Sequence, residues 1–410
     1  MDSPKNNTKH TYFSNTEIAF KNKDNGDLKH SLWLFRLMQN PLLVKVFSKL
    51  TLIAIKLHLP ISVAVKATIY KQFCSGETLD ESQKVVKHLG KSGVGSILDY
   101  SVEGKDSIED FEHTKSEVIK IIHIAKGNPA IPYTSLKLTG IARHALLEKI
   151  NPIAIGTKQE LNAVEQKEQK ELYERMEQIC KESFACHVPI YFDAEESWIQ
   201  DAIDMLAEEM MRKYNREDAI ILTTLQMYRW DRMDYLKKLI SEARKEKFFI
   251  GIKLVRGAYM EKENKRALEQ GYKSPIQLDK QSTDIDFDKA VDTCLENIDI
   301  IKLCAGTHNE ASTTHLLDQM KKLGIRNNHP NVYFSQLYGM SDNITYNLAD
   351  MGYNVTKYLP YGPVKSTLPY LMRRAEENTA IAGQVSRELK MILEEKERRK
   401  FAKMLTGTNS

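Results

Sequence analysis

The sequence is short of several things, and each shortage closes a class of function. Its 410 residues hold five cysteines, at 74, 180, 186, 294 and 304, with no pair at CxxC spacing. Zinc knuckles and dithiol redox motifs are thereby excluded, and free thiols in a reducing compartment are expected. No HExxH or similar pair occurs, so no metal site is expected. GxSxG and a Cys–His signature are missing too, which argues against an acyl-transfer nucleophile. Charge of one sign is scarce: 59 Lys and Arg against 55 Asp and Glu leave only +4, too even for a nucleic-acid footprint. The N-terminus has no apolar core of a signal peptide and carries Asp2, Glu17, Asp24 and Asp27, which a transit peptide avoids. The expectation is a cytoplasmic enzyme.

Long hydrophobic runs are also lacking. The most apolar stretch, residues 40–70, is interrupted by Lys45, Lys49, Lys56, His58 and Lys66 and broken at Pro60. A spanning helix needs about 20 nearly uncharged residues. Lys45, Lys49 and Lys56 share one face at spacings of four and seven, so two readings stay open. The helix packs on the main domain with its lysines in water, or it lies on an anionic membrane surface.

What is present is a rhythm. Residues 1–30 are polar and expected to be poorly ordered, and residues 31–92 read as helical. Short apolar runs then recur at 96–101, 133–138, 188–193, 219–226, 248–255, 299–305, 332–337 and 354–359, nearly all separated by helix-like sequence. Continuous apolar runs suit parallel strands buried on both faces. Eight such units match a closed (βα)8 TIM barrel, an α/β fold, rather than an open sheet. An open sheet usually announces itself by GxGxxG, and here Gly93-Val94-Gly95 has Leu98 where the third glycine belongs. The expected organisation is a tail and helical arm over 1–92, a barrel over 93–380, and a C-terminal helix and tail over 381–410. The last of these, with its basic residues near 397–403, docks on the barrel or on a membrane.

In a barrel the chemistry sits at the C-terminal ends of the strands. Those positions carry Asp99 and Glu103, Lys137, Asp193 with Glu195 and Glu196, Gln226 and Tyr228. They continue with Lys253, Arg256 and Tyr259, then Thr307-His308, Leu337 and Tyr358. Arg373, Arg374 and Glu377 follow on a final helix. Lys137 and Lys253 lie within apolar runs, where an ammonium must be paired. Arg373 and Arg374 point about 100° apart on a helix and could grip one carboxylate from two directions. A Schiff-base lysine at 137 or 253, as in barrel aldolases, and a flavin site with paired arginines for an acid substrate both remain open.

KLVRGAYMEKE (253–263) and YLPYGPVKSTLPYLMRRAEEN (358–378) resemble the proline dehydrogenase family. So do GVGSILDYSVEG (93–104), SLKLTGI (135–141), YFDAEES (191–197), TLQMY (224–228), GTHNE (306–310) and FSQLYGM (334–340), all in family order. The resemblance implies a distorted barrel whose final helix sits over the mouth, binding FAD. It implies oxidation of L-proline to Δ1-pyrroline-5-carboxylate by hydride transfer from C5, with electrons passed to a membrane quinone. Arg373, Arg374 and Lys137 would hold the proline carboxylate, and Tyr259, Leu337 and Tyr358 would shape the ring pocket. Asp193 and Lys253 would form the catalytic core. Asp193, Gln226, Lys253, Arg256, Gly257, Ala258, Lys280, Thr307, His308 and Glu377 would hold FAD, with Glu103 a gate pairing with Arg373.

Two features depart from the family's bifunctional bacterial members. Lys253 and Arg256 stand in swapped order, as in mitochondrial-type relatives. The chain also leaves no room for an aldehyde dehydrogenase domain, so a separate pyrroline-5-carboxylate dehydrogenase is an expected partner. The quinone makes peripheral contact with the inner face of a membrane an expectation as well. Hydroxyproline dehydrogenase is the rival of the same fold; there a smaller residue typically replaces the aromatic at 358, so Tyr358 favours proline.

Overall fold

The computed structural model describes residues 12–40, 42–44, 46–47, 50, 62–102, 106–154, 159–380 and 382–406. Eight strands follow one another: β1 Val94–Tyr100, β2 Tyr133–Leu136, β3 Ile190–Phe192, β4 Ile221–Gln226, β5 Ile250–Val255, β6 Ile301–Gly306, β7 Val332–Leu337 and β8 Val355–Tyr361. Every neighbouring pair is parallel, and β8 closes on β1 through seven paired residues from Val94↔Val355 to Tyr100↔Tyr361. This is the expected (βα)8 barrel, each strand within a few residues of its apolar run. The runs are continuous because the strands are buried on both faces, by helices outside and by the packed interior within.

Two apolar assemblies organise the molecule. The main core lies between strands and surrounding helices, with Leu98, Ile190, Ile221, Ile252, Leu303 and Phe334 all inaccessible. Asn162 begins a long helix of that layer, Ala163–Cys186, with a reciprocal capping box to Glu165. The second core joins the N-terminal arm to the chain's last two helices. Phe20, Leu28, Phe35 and Phe73 pack with Tyr370, Leu371, Leu389 and Ile392.

That second core alters the reading of residues 1–30. From residue 12 onward the arm is built, with helices Thr16–Ala19 and Asn25–Met38 capped by the side chains of Asn15 and Asp24. Phe13, Phe20 and Leu28 are almost wholly buried. Few apolar residues suffice because the C-terminal helix Ala382–Thr406 supplies the other half of the interface. Arg399 donates to the Phe20 carbonyl at 2.9 Å, and Arg398 pairs with Glu17 at 3.2 Å. This helix therefore docks on the arm. Lys45, Lys49 and Lys56, which carry the membrane-surface reading, lie outside the described residues, as do residues 1–11. Among the described residues, no helix is long and apolar enough to cross a membrane.

Candidate active site

Side chains alternate along a strand, so residues two apart share the barrel interior. Tyr133, Tyr191, Tyr333 and Tyr358 form an aromatic floor, with Tyr133 centred 4.8 Å from Tyr333 and 5.1 Å from Tyr191. One step higher, towards the C-terminal mouth, come Asp99, Asp193, Thr224 and Lys253. Asp193 is 7% exposed and accepts from Lys253, from the Tyr358 hydroxyl at 2.6 Å and from Thr224 at 3.4 Å. The Lys253 ammonium lies between two aromatic faces, 4.9 Å from the Tyr191 centroid and 5.0 Å from that of Tyr358. Buried cations persist only when paired, and here a carboxylate and two ring quadrupoles do the pairing. Lys137 pairs with Asp99 at 3.4 Å, and Ser101 donates to the same carboxylate. Burial, reinforced by the Asp193 charge, pushes the Tyr358 hydroxyl far above its ordinary range, so it acts as a donor.

The rim is built from strand ends. Arg256 donates to Asp284, to Thr307 at 2.7 Å and to Ser312 at 2.8 Å, and stacks 4.5 Å from the Phe287 centroid. Lys280 pairs with the same Asp284, so it enters this cluster from the surface. Gln226 donates to the Glu195 carbonyl at 2.6 Å and accepts from the Ala258 amide at 3.4 Å. Gly257 has φ +132°, and a Cβ there would lie 2.5 Å from the Tyr228 ring; only glycine fits this approach. His308 bonds through Nδ1 to the Ser341 hydroxyl at 2.9 Å. Burial, together with the charges of Lys357, Arg374 and Arg256, drives its pKa down to about 3, so it is neutral.

The arginine-bearing helix, Val364–Ala380, completes the mouth. The Arg373 guanidinium lies 5.6 Å from the ring of Tyr259, the residue that precedes the helix Met260–Gln270 after β5. Arg374 is 7% exposed, stacks 5.3 Å from the Tyr370 ring and contributes to the field at His308. Leu337, at the end of β7, is half-buried and packs beside the interior aromatic cluster. Fourteen of the expected site residues thus gather at one end of the barrel: Lys137, Asp193, Gln226, Lys253, Arg256, Gly257, Ala258, Tyr259, Thr307, His308, Leu337, Tyr358, Arg373 and Arg374. Glu103 and the Glu377 side chain lie outside what is described.

Sequence reasoning missed a second charged cluster beside this one. Asp342 bridges Lys357 and Lys23, each at 2.8 Å, and Glu388 accepts from the Ser341 amide. A signal existed for one member: Lys357, like Lys253, interrupts an apolar strand. Nothing local points to Lys23 or Glu388. Glu195, noted only as a strand-end acid, accepts from the Thr139 amide and hydroxyl, and burial next to Glu196 raises its pKa to about 7.

The family model "Proline dehydrogenase" matches residues 82–387. A mitochondrial proline dehydrogenase 1 of Dictyostelium discoideum is 34% identical over 384 residues, covering 83% of this chain and 67% of its own. A hydroxyproline dehydrogenase of Xenopus laevis is 30% identical, covering 93% and 89%. Among solved structures, proline utilization A from Bdellovibrio bacteriovorus, inactivated by N-propargylglycine, superposes with a TM-score of 0.68 at 22% identity. That match covers 77% of this chain and 33% of the solved one, so this chain spans about a third of that protein. With a family model matched over most of its length, the chain belongs to the proline dehydrogenase family of oxidoreductases.

Proposed function

We propose that the protein oxidises L-proline to Δ1-pyrroline-5-carboxylate, with FAD as cofactor and a membrane quinone as electron acceptor. The observation that carries the reading is the placement of the arginine helix. Arg373 stacks on Tyr259, and Arg374 enters the field around His308, at the barrel end that carries the Asp193–Lys253–Tyr358 contacts.

The donor set fits a flavin dinucleotide. Burial, with the charges of Lys357, Arg374 and Arg256, keeps His308 neutral, and an anionic ligand with phosphates would be welcomed by those three cations. Arg256, Thr307, His308, Gln226 and the Gly257–Ala258 backbone would hold it, with Lys253, Asp193, Lys280 and Glu377 as further expected contacts. When bound, FAD would accept the hydride from C5 of the substrate ring.

The chain's own residues do the rest. The two guanidinium groups and Lys137 hold the substrate carboxylate, fixing the ring over the mouth. Tyr259, Leu337 and Tyr358 exclude water around the ring and limit its size. The substrate nitrogen must be neutral to donate its lone pair into the forming C=N bond. Neighbouring cations disfavour the ammonium form and so lower the pH at which the reactive form appears. The buried Asp193–Lys253 pair holds the Tyr358 phenol at a set height, since its hydroxyl has Asp193 as acceptor. Electron delivery to a quinone calls for an approach to a membrane, for which the residues 40–70 segment is the candidate. Δ1-Pyrroline-5-carboxylate would be passed to a separate dehydrogenase.

Steady-state assays with L-proline, 4-hydroxyproline and a soluble quinone analogue test the reading; highest kcat/KM on proline supports it, and no turnover of either amino acid overturns it. The hydroxyproline reading has a specific residue attached. Tyr358→Ser is expected to raise activity on hydroxyproline relative to proline, and unchanged selectivity would remove Tyr358 from the specificity assignment.

A further inference from the structure

The turn that follows β7, residues 339–342, is held from outside itself at every position. The Gly339 carbonyl accepts from Gln72 of the arm at 2.6 Å. The backbones approach so closely that a Cβ on Gly339, whose φ is +77°, would lie 1.9 Å from the Gln72 carbonyl oxygen. The Met340 carbonyl accepts from the Lys357 ammonium, which comes from β8. The Ser341 amide donates to Glu388 of the C-terminal helix. The Asp342 carboxylate bridges Lys357 and the arm's Lys23 at 2.8 Å each. At the centre, Ser341 has φ +50° and ψ +45°, a left-handed conformation disfavoured for a residue with a Cβ. Its hydroxyl is the group that meets His308 Nδ1 at 2.9 Å.

A left-handed serine does not persist on its own preference; the surrounding contacts over-determine it. The contacts here come from the arm, β8 and the C-terminal helix, and they converge on the residue that sets the orientation of a neutral histidine. A neutral imidazole carries one N–H, and the partner of one ring nitrogen decides which nitrogen carries it. We propose that Glu388 is a positioning residue: by holding the Ser341 amide it makes the C-terminal helix part of the cofactor site, fixing the ring orientation and tautomer of His308. The idea rests on the proposed flavin site only in naming what His308 faces. Asp342, with Lys23 and Lys357, gives the arm an equivalent hold on the next residue. Segments outside the eight strands thus act on the barrel mouth through one turn.

The test uses the full chain and two readouts. In Glu388→Ala the Ser341 amide loses its acceptor. The expected result is a changed 15N signal pattern for the His308 ring, identified by its loss in His308→Gln, and FAD binding weakened about tenfold. Glu388→Gln keeps a carbonyl at the same place and should restore the His308 pattern, with FAD binding within roughly threefold of the parent. Ser341→Ala should reproduce the altered His308 pattern. Arg398→Gln removes this helix's ion pair with Glu17 of the arm without touching the turn, so it reports plain undocking. The proposal is overturned if Glu388→Ala leaves the His308 signals unchanged, or shifts them no more than Arg398→Gln does. If the parent chain binds no FAD, the functional reading fails separately, and the histidine spectra alone decide the positioning role.

Discussion

At the barrel mouth Asp193 neutralises Lys253, and both side chains come from one layer of the same barrel, Asp193 just past β3 and Lys253 on β5. At the turn after β7, Asp342 neutralises two lysines, Lys357 from the barrel and Lys23 from an arm more than 300 residues away in sequence. Both carboxylates are buried, yet their solutions differ. The first pair is assembled by strand periodicity and is complete once the barrel closes. The second is complete only when the arm and the C-terminal helix have docked. Opposing charges pull Asp342 down to about 2 in spite of its burial, whereas burial holds the Lys357 ammonium below its usual range despite Asp342. The mouth is therefore a product of topology, and the turn a product of assembly.

The largest expected effects come from breaking either cluster at its carboxylate. Asp193→Ala and Asp342→Ala should each cost about 3–5 kcal/mol, because each leaves a buried ammonium without its counter-ion. Chemical denaturation with separate probes distinguishes them. Asp342→Ala is expected to release the arm and the C-terminal helix before the barrel unfolds, whereas Asp193→Ala should lower the stability of the barrel itself. Coincident transitions in both variants would erase the distinction.

A pH comparison comes next. Glu195 is raised from its ordinary 4.5 to about 7 in the folded chain by burial, then by Glu196. Between those values the folded state binds more protons than the unfolded one, so its contribution to stability is present below 4.5 and lost as pH rises through 7. Glu195→Gln does not titrate. Its melting temperature relative to the parent should therefore climb between pH 5 and pH 8, by the equivalent of at most about 3 kcal/mol. A flat difference across that range would remove the assigned cause. Arg374→Gln should raise KM for the substrate about 10–100-fold, the size of one charge-assisted contact. A variant with unchanged KM would place the carboxylate elsewhere.

Much of the mouth was legible from sequence because its signals are local. A lysine inside an apolar run, as at 137 and 253, must meet a carboxylate: Asp99 stands on the strand next to that of Lys137, and Asp193, just past β3, reaches Lys253 across β4. The eight strands were legible for the same reason, being continuous apolar runs. Partner identities were less so: Asp193 grips Lys253 and the Tyr358 hydroxyl, while Lys137 belongs to Asp99. Residues 12–30 were misread because their polar composition hides a few apolar residues, such as Phe20 and Leu28, that matter only against Leu389 and Ile392. Glu388 had no sequence signal at all, since the hydrogen bond it makes is to a backbone amide 47 residues earlier. The smallest expected effect lies away from both clusters and sets a baseline. Asn162→Ala removes a capping box on the barrel's outer layer and should cost about 1 kcal/mol without altering KM.

The most direct measurement is the visible spectrum of the purified chain, supplemented with FAD and then mixed anaerobically with L-proline. The account predicts a bound flavin spectrum that bleaches on proline and recovers when a quinone is added. A chain that takes up no FAD, or a bound flavin that proline and hydroxyproline both leave oxidised, would contradict it.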